Sequence, residues 1–270
     1  MLEPYVRETR KQKDILLMTH IVIGYPSLTV SEQMVDTMVE AGVDLMELQI
    51  PFSEPIADGP VILRANQEAL ARGVTVAQCL DFGRRMAQRH AIPFLFMTYC
   101  NIFHTYGFQR IARFMAEGGL RGAIVPDLPP EEGGEYLSAM HRWGLAPIFI
   151  FAPTTSPERL RILGRRSSGF VYCVARKGVT GQNTEFSRQL DDFLTRCRQA
   201  TDLPLALGFG VKDRSDIDFL TGKADIAVIG TQTLRIAEQT GVPAVGDFIR
   251  SLRPATKTSF SKAKPARGVM

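Results

Sequence analysis

The feature that most restricts how this chain can fold is a recurrence. Eight apolar runs of strand length follow one another over roughly 240 of the 270 residues, separated by segments of helical period. The runs are LLMTHIVIG (16–24), DLMELQI (44–50), IPFLFMTY (92–99), GAIVPD (122–127), APIFIFA (146–152), GFVYCVA (169–175), PLALGFG (204–210) and IAVIGT (226–231). They are mostly continuous rather than alternating, as parallel strands covered on both faces should be. Start and stop signals mark the helices between them. Thr29 with Glu32, and Thr75 with Gln78, have capping-box spacing. Ser156 and Pro157 open another helix, and Gly42 and Gly164 read as terminators. Eight such units predict an α/β chain folded as a (β/α)8 TIM barrel, with a short N-terminal helix. A doubly wound open sheet is the other arrangement for this alternation. It normally carries a Gly-rich dinucleotide turn after its first strand, and GYPSLT (24–29) is not one. A single barrel domain is expected over 1–253, followed by a disordered basic tail over 254–270.

Charge excludes some functions. The formal net charge is +4, and Lys257, Lys262, Lys264 and Arg267 in the acid-free last 17 residues account for all of it. Residues 1–253 are therefore neutral overall, which does not support a nucleic-acid footprint. No run approaches the ~20 apolar residues of a membrane span. The charged start, MLEPYVRETRKQKD, lacks a signal-peptide core. Cys79, Cys100, Cys173 and Cys197 show no metal-type spacing and read as reduced thiols, so a cytoplasmic location is expected.

The stretch ELQIPFSEPIADGP (47–60) carries the chemistry. Strand side chains alternate, so Met46, Leu48 and Ile50 face the helices while Leu45, Glu47 and Gln49 point into the barrel. A lone buried carboxylate costs several kcal/mol unless it is paired or protonated. No basic residue lies in the eight strands, His20 being read as a pocket-wall or core histidine, so Glu47 lacks an evident ion-pair partner. It reads as a candidate general acid/base, the alternative being an ion pair inside the barrel. Asp58 follows on the rim where barrel active sites form, and reads either as functional or as the turn residue of ADGP. Tyr172 could point inward or be a half-buried core tyrosine. The loop after the sixth strand, with Thr180, Gly181, Gln182 and Asn183, has the composition of a lid. The strand ends GFGV (208–211) and IGT (229–231) combine glycines with a helix N-terminus, a combination suited to phosphate. All eight lysines lie outside the strands, against a strand-borne Schiff base, and the four histidines form no metal motif. What remains is cofactor-free acid–base carbon chemistry on a phosphate ester.

These residues resemble the tryptophan synthase alpha chain family, whose pattern E-L-G-x-P-F-S-D-P-x-A-D-G-P matches residues 47–60. GVTG (178–181), GFGV, the Gly-Thr at 230–231, YCN (99–101), VPDLPPEE (125–132) and APIF (146–149) fit in order, over roughly residues 16–253. The resemblance implies a (β/α)8 lyase that cleaves indole-3-glycerol phosphate to indole and glyceraldehyde 3-phosphate. Glu47 would be the general acid/base, Asp58 the acceptor of the indole N–H, and Tyr172 their neighbour. Gly181, Gly210, Gly230 and Thr231 would hold the phosphate, and Thr180, His20, Gln49 and Phe209 would form lid and pocket. It implies no cofactor in this chain, and a beta chain with pyridoxal phosphate as partner in an alpha2beta2 complex. A stand-alone lyase, a non-catalytic phosphate-binding barrel and a barrel isomerase are the competing readings. Three positions depart from the pattern: Gln49 for Gly, Glu54 for Asp, and His20 for an aromatic.

Overall fold

The computed structural model describes residues 1–56, 58–175 and 183–253, with side chains from 188 onward in the last span. Thr180, Gly181 and the expected tail (254–270) lie outside the described residues. The strands are β1 Leu16–Val22, β2 Leu45–Gln49, β3 Phe94–Met97, β4 Gly122–Ile124, β5 Ala146–Ile148, β6 Ile150–Phe151, β7 Val171–Val174, β8 Leu205–Gly208 and β9 Ile226–Ile229. The helices are α1 Leu2–Gln12, α2 Leu28–Glu40, α3 Pro60–Ala71, α4 Val76–Arg89, α5 Cys100–Tyr106, α6 Phe108–Gly118, α7 Gly134–Arg142, α8 Pro157–Arg166, α9 Asn183–Ala200, α10 Arg214–Leu220, α11 Thr231–Thr240 and α12 Val242–Leu252.

All strand pairs are parallel, in the order β5-β4-β3-β2-β1-β9-β8-β7-β6. β5 and β6 are two halves of the fifth apolar run, split at Phe149. The first half pairs with β4 and the second with β7, so one continuous segment closes the barrel. Ser168 N–H on Pro147 O (2.9 Å) and Tyr172 N–H on Phe149 O (3.1 Å) complete the seam. This is the TIM barrel expected from the recurrence.

The alternation of side chains sorts the core into two layers. Leu17, Ile21, Met46, Leu48, Phe94 and Phe96 pack outward beneath the helices. Leu16, Met18, Leu45, Leu95, Met97, Ile148, Phe170, Ala206 and Ile226 fill the interior. Helix α1 adds Leu2 and Val6 to that interior cluster, beside residues at the strand starts, and so plugs the end of the barrel opposite the rim. Asp44 secures the same end, accepting from Leu17 N–H (2.9 Å) and pairing with Lys13 (2.5 Å).

Two helix signals act differently from expectation. Helix α2 is capped by Ser27, whose extended backbone and hydroxyl meet Val30 N–H at 3.2 Å; Thr29 already lies within the first turn. Glu32 spans to Arg85 (2.9 Å) and Arg89 on α4, because guanidinium partners make stronger, charge-assisted bonds than a neutral amide. Gly164 does not end α8, which continues to Arg166. A Cβ at Gly164 would lie 3.1 Å from the Ala200 carbonyl, so this glycine serves the close approach of α8 to the end of α9. The Thr75–Gln78 capping box of α4 is formed as expected.

Candidate active site

The site is built at the carboxyl end of the strands, from residues whose parity turns them inward. In the pairing of β1 with β2, His20 and Glu47 are direct register partners. Their side chains meet, with His20 Nδ1 at 2.7 Å from Glu47 Oε1, and only 5% and 4% of the two residues is exposed. The expectation that Glu47 has no internal partner is thereby corrected: the basic group in the barrel is a histidine brought alongside by register. Burial acts against the imidazolium. The hydrogen bond to Glu47, with the charges of Glu47 and Asp58, outweighs it and holds His20 protonated above its ordinary range. Among the described residues, Glu47 Oε2 and His20 Nε2 are buried without a hydrogen-bond partner.

Gln49, two residues along β2, also points inward and is fully buried. Its Nε2 donates to Asp58 Oδ2 at 2.7 Å rather than to Glu47. A third polar side chain, Asn66 on α3, completes this group. Its Oδ1 accepts from Phe52 N–H (2.9 Å) and from Gln49 Nε2 (3.3 Å), and its Nδ2 donates to Ile62 O (2.8 Å) and lies 3.5 Å from Asp58 Oδ2. Asn66 therefore ties both ends of the loop between β2 and α3 to one point. Gly59 and Pro60 then start α3 directly after Asp58. Burial pushes the Asp58 carboxyl above the usual carboxylate range, against the hydrogen bonds from Gln49 and Tyr99 and the charge of His20. Asp58 is held by the Gln49 and Asn66 side chains as well as by the turn bond from its N–H to Pro55 O. Glu54 is exposed on the loop.

Tyr172 on β7 faces the same cavity. Burial, with the Glu47 and Asp58 carboxylates nearby, keeps its phenol protonated far above the ordinary value. Space for the ring comes from Gly208 on β8, where a Cβ would lie 3.2 Å from it. Phe209, expected on the pocket wall, instead faces outward and stacks on Phe219 (5.5 Å between centroids). The alternation that puts Gly208 inside puts Phe209 among the helices.

A cavity of about 350 Å³ connects these groups to the ends of β8 and β9. It is lined by apolar Met97, Ile124, Ile150 and Val228, by His20, Glu47 and Asp58, and by Gly210, Gly230, Thr231, Lys212 and Arg235. Gly210 has φ +78°, a conformation that favours glycine. Buried Asp216 accepts from Lys212 N–H (2.8 Å) and so fixes this loop. Helix α11 starts at Thr231 with Gly230 as its cap, aiming free N–H groups and the positive end of its dipole at the cavity. The arrangement suits a ligand with an apolar ring at one end and an anion at the other. Asn66, Lys212 and Arg235 were not anticipated. Arg235 stands four residues after Thr231, one helical turn on, a spacing visible in the sequence. Asn66 shares the apolar face of α3 with Ile62, Ala65 and Ala69.

The sequence model of the family described as tryptophan synthase alpha chain matches residues 6–252. The chain belongs to the tryptophan synthase alpha chain family. The alpha chain of Syntrophotalea carbinolica is 63% identical over 253 residues, covering 94% of this chain and all of the relative. That of Desulforapulum autotrophicum is 61% identical over 252 residues, covering 93% and 100%. Among solved structures, tryptophan synthase from M. tuberculosis superposes with TM-score 0.85 at 30% identity, covering 93% of this chain and 96% of that one. A tryptophan synthase complex from Pyrococcus furiosus superposes with TM-score 0.80 at 25% identity, covering 89% and 98%. The tryptophan synthase alpha chain is a lyase of tryptophan biosynthesis that cleaves indole-3-glycerol phosphate, and it forms a complex with the beta chain. No helix among the described residues is long and apolar enough to cross a membrane.

Proposed function

We propose that this chain carries out the retro-aldol cleavage with Glu47 and Asp58 as its catalytic pair. Protonated Glu47 delivers a proton to the indole ring carbon that bears the glycerol chain. The resulting positive charge is shared with the ring nitrogen, whose N–H donates to the Asp58 carboxylate. Glu47, now ionised, takes the proton of the adjacent hydroxyl. That oxygen becomes the aldehyde, the carbon–carbon bond breaks, and its electron pair returns to the ring. The proton gained replaces the proton given, so Glu47 is restored. Acid–base steps of this kind are worth roughly 10²–10⁴-fold. Tyr172 forms the wall beside the pair.

Gly210, Gly230 and Thr231 receive the phosphate at the start of α11, with Lys212 and Arg235 supplying cations. Gly181 and Thr180, outside the described residues, are assigned to phosphate binding and lid from the sequence alone. Residues 1–253 constitute one catalytic domain. It works in the cytoplasm within an alpha2beta2 complex whose pyridoxal phosphate belongs to the beta chain. The observation that carries this reading is a single cavity that brings two carboxylates together with a helix N-terminus and two cations. The test is indole release by Glu47→Gln, with and without beta chain. Turnover should fall at least a hundredfold while substrate binding persists; near-parental turnover would refute the assignment.

A further inference from the structure

We propose that His20 is a positioning residue for this reaction: it anchors one oxygen of Glu47 to the barrel wall, leaves the other free for substrate, and can share a proton with it. The inference rests on the assignment of Glu47 as the general acid/base.

Geometry supports each part. His20 Nδ1 meets Glu47 Oε1 at 2.7 Å, between register partners on adjacent strands, so neither side chain reaches the other through a flexible loop. The bond fixes the carboxyl rotamer. Oε1 is occupied, and Oε2 has no hydrogen-bond partner among the described residues. A neutral imidazole with its proton on Nδ1 donates to Oε1 in both halves of the cycle, whether Oε2 carries its proton or has given it up. His20 Nε2 is likewise buried and unpartnered. The same proton can therefore rest on Glu47 Oε2 or on His20 Nε2, and either way the pair is neutral overall. Neutrality is the inexpensive condition for a pair so deeply buried.

The surroundings favour retention of that proton. From β2, Glu47 and Gln49 face the histidine; from the following loop, Asp58; from β7, Tyr172. On β1 itself the inward neighbours Met18 and Val22 are apolar, and from the end of β9 the nearest group is Gly230, uncharged. The cations Lys212 and Arg235 also line the cavity, and neither is among the principal influences on His20. The charges close to His20 are thus carboxylates, which favour the imidazolium.

The experiment measures pH profiles of indole release by the alpha–beta complex for the parent, His20→Asn and His20→Phe. The asparagine amide nitrogen takes the place of Nδ1 as donor but cannot titrate. The parent should show an alkaline limb above the ordinary imidazole range of ~6.5. In His20→Asn that limb should move by at least about one pH unit while KM changes less than about threefold, a shift that lost packing would not produce. At the pH optimum, His20→Asn should keep more of kcat than His20→Phe, by about tenfold, because only the amide still orients Glu47. Profiles of parent and His20→Asn that differ only in scale would overturn the proposal. So would a His20→Phe variant that matches the parent in kcat and profile.

A measurement on the binding-competent protein covers the case in which the His20 variants do not fold. The imidazole ¹⁵N resonances of the four histidines should include one that titrates above the ordinary range and moves down in Glu47→Gln. Unchanged titration of every histidine in that variant would also overturn the proposal. Near-parental turnover by Glu47→Gln would instead refute the assignment of Glu47, which keeps the two failures apart.

Discussion

Asn66→Ala tests whether one buried amide joins the fold to Asp58, the carboxylate proposed to be catalytic. Asn66 is wholly buried, and its Oδ1 is the acceptor for Phe52 N–H at 2.9 Å. Truncation leaves that amide facing a side chain that cannot accept, at a cost of about 1–3 kcal/mol. Gln49 Nε2 loses its longer bond to Asn66 but keeps Asp58, which adds about 0.5–1 kcal/mol. Ile62 O loses the Asn66 side chain yet remains within the ladder of α3. The sum is roughly 1.5–4 kcal/mol, which lowers the melting midpoint of a chain this size by roughly 3–16 °C. Function should suffer separately. The released loop carries Asp58, and misplacing a catalytic group by about 1 Å costs up to ~10²-fold. We expect kcat for indole release to fall at least about tenfold. Thermal melting by circular dichroism and the indole assay, on one preparation near neutral pH, read both effects. Asn66→Asp separates them: it keeps the acceptor for Phe52 but sets a carboxyl against Asp58, so its stability should recover as pH falls and one of the two takes up a proton. A midpoint for Asn66→Ala within about 2 °C of the parent would refute the packing argument. A lowered midpoint with parental kcat would refute the link to Asp58.

Three further outcomes follow from the same geometry. Asp58 has a folded-state pKa raised above its reference value of 3.8, so the folded protein binds its proton more tightly than the unfolded chain. That contribution to stability is present below about pH 4 and lost as pH rises through the raised value. Asp58→Asn should consequently be more stable than the parent at neutral pH, with the difference vanishing in acid, while indole release is lost; a variant destabilised at neutral pH in denaturant titration would contradict this. Lys212→Ala and Arg235→Ala should each raise KM by roughly threefold to tenfold with little change in kcat, since exposed cations contribute at the low end of charge-assisted bonds. Inhibition by inorganic phosphate should weaken in step, and a fall in kcat at constant KM would count against a phosphate-binding role. For His20, whose folded-state pKa is raised, the charge-dependent stabilisation is fully present below about pH 6.5 and disappears as pH passes the raised value; the stability gap between the parent and His20→Asn should narrow in that direction.

Much of this protein was readable in one dimension. Each of the eight apolar runs forms strand, because a run covered on both faces needs no partner to declare itself. The inward orientation of Glu47 followed from its parity with Leu45, and Leu45 does lie in the interior cluster. The Thr75 cap and the phosphate-suited turns at Gly210 and Gly230 are likewise local, written within a few residues of chain. Errors arose where a residue had two possible partners. Glu32 had the spacing of a capping box, but Arg85 and Arg89 lie 53 and 57 residues away and bind it instead. Gly164 has the look of a stop, and its purpose is contact with Ala200 and Thr201. The resemblance assigns Phe209 to the pocket, whereas the alternation continued from Gly208 at the end of β8 turns it outward onto Phe219.

The amino-acid sequence by itself settled the periodicity, and with it the barrel, the inward-facing acid and the neutral body of the chain. Only the tertiary structure decided who meets whom. His20 and Glu47 are 27 positions apart, and nothing in either segment states that the register of β1 on β2 aligns them. Gln49 chose Asp58 over Glu47, and Asn66 closed the loop from a helix not anticipated in the sequence. The physical reason is that alternation and helical period are short-ranged properties of a backbone. Pairing of buried polar groups is a long-ranged one, fixed when strands choose their register and desolvation forces each polar atom to find a partner.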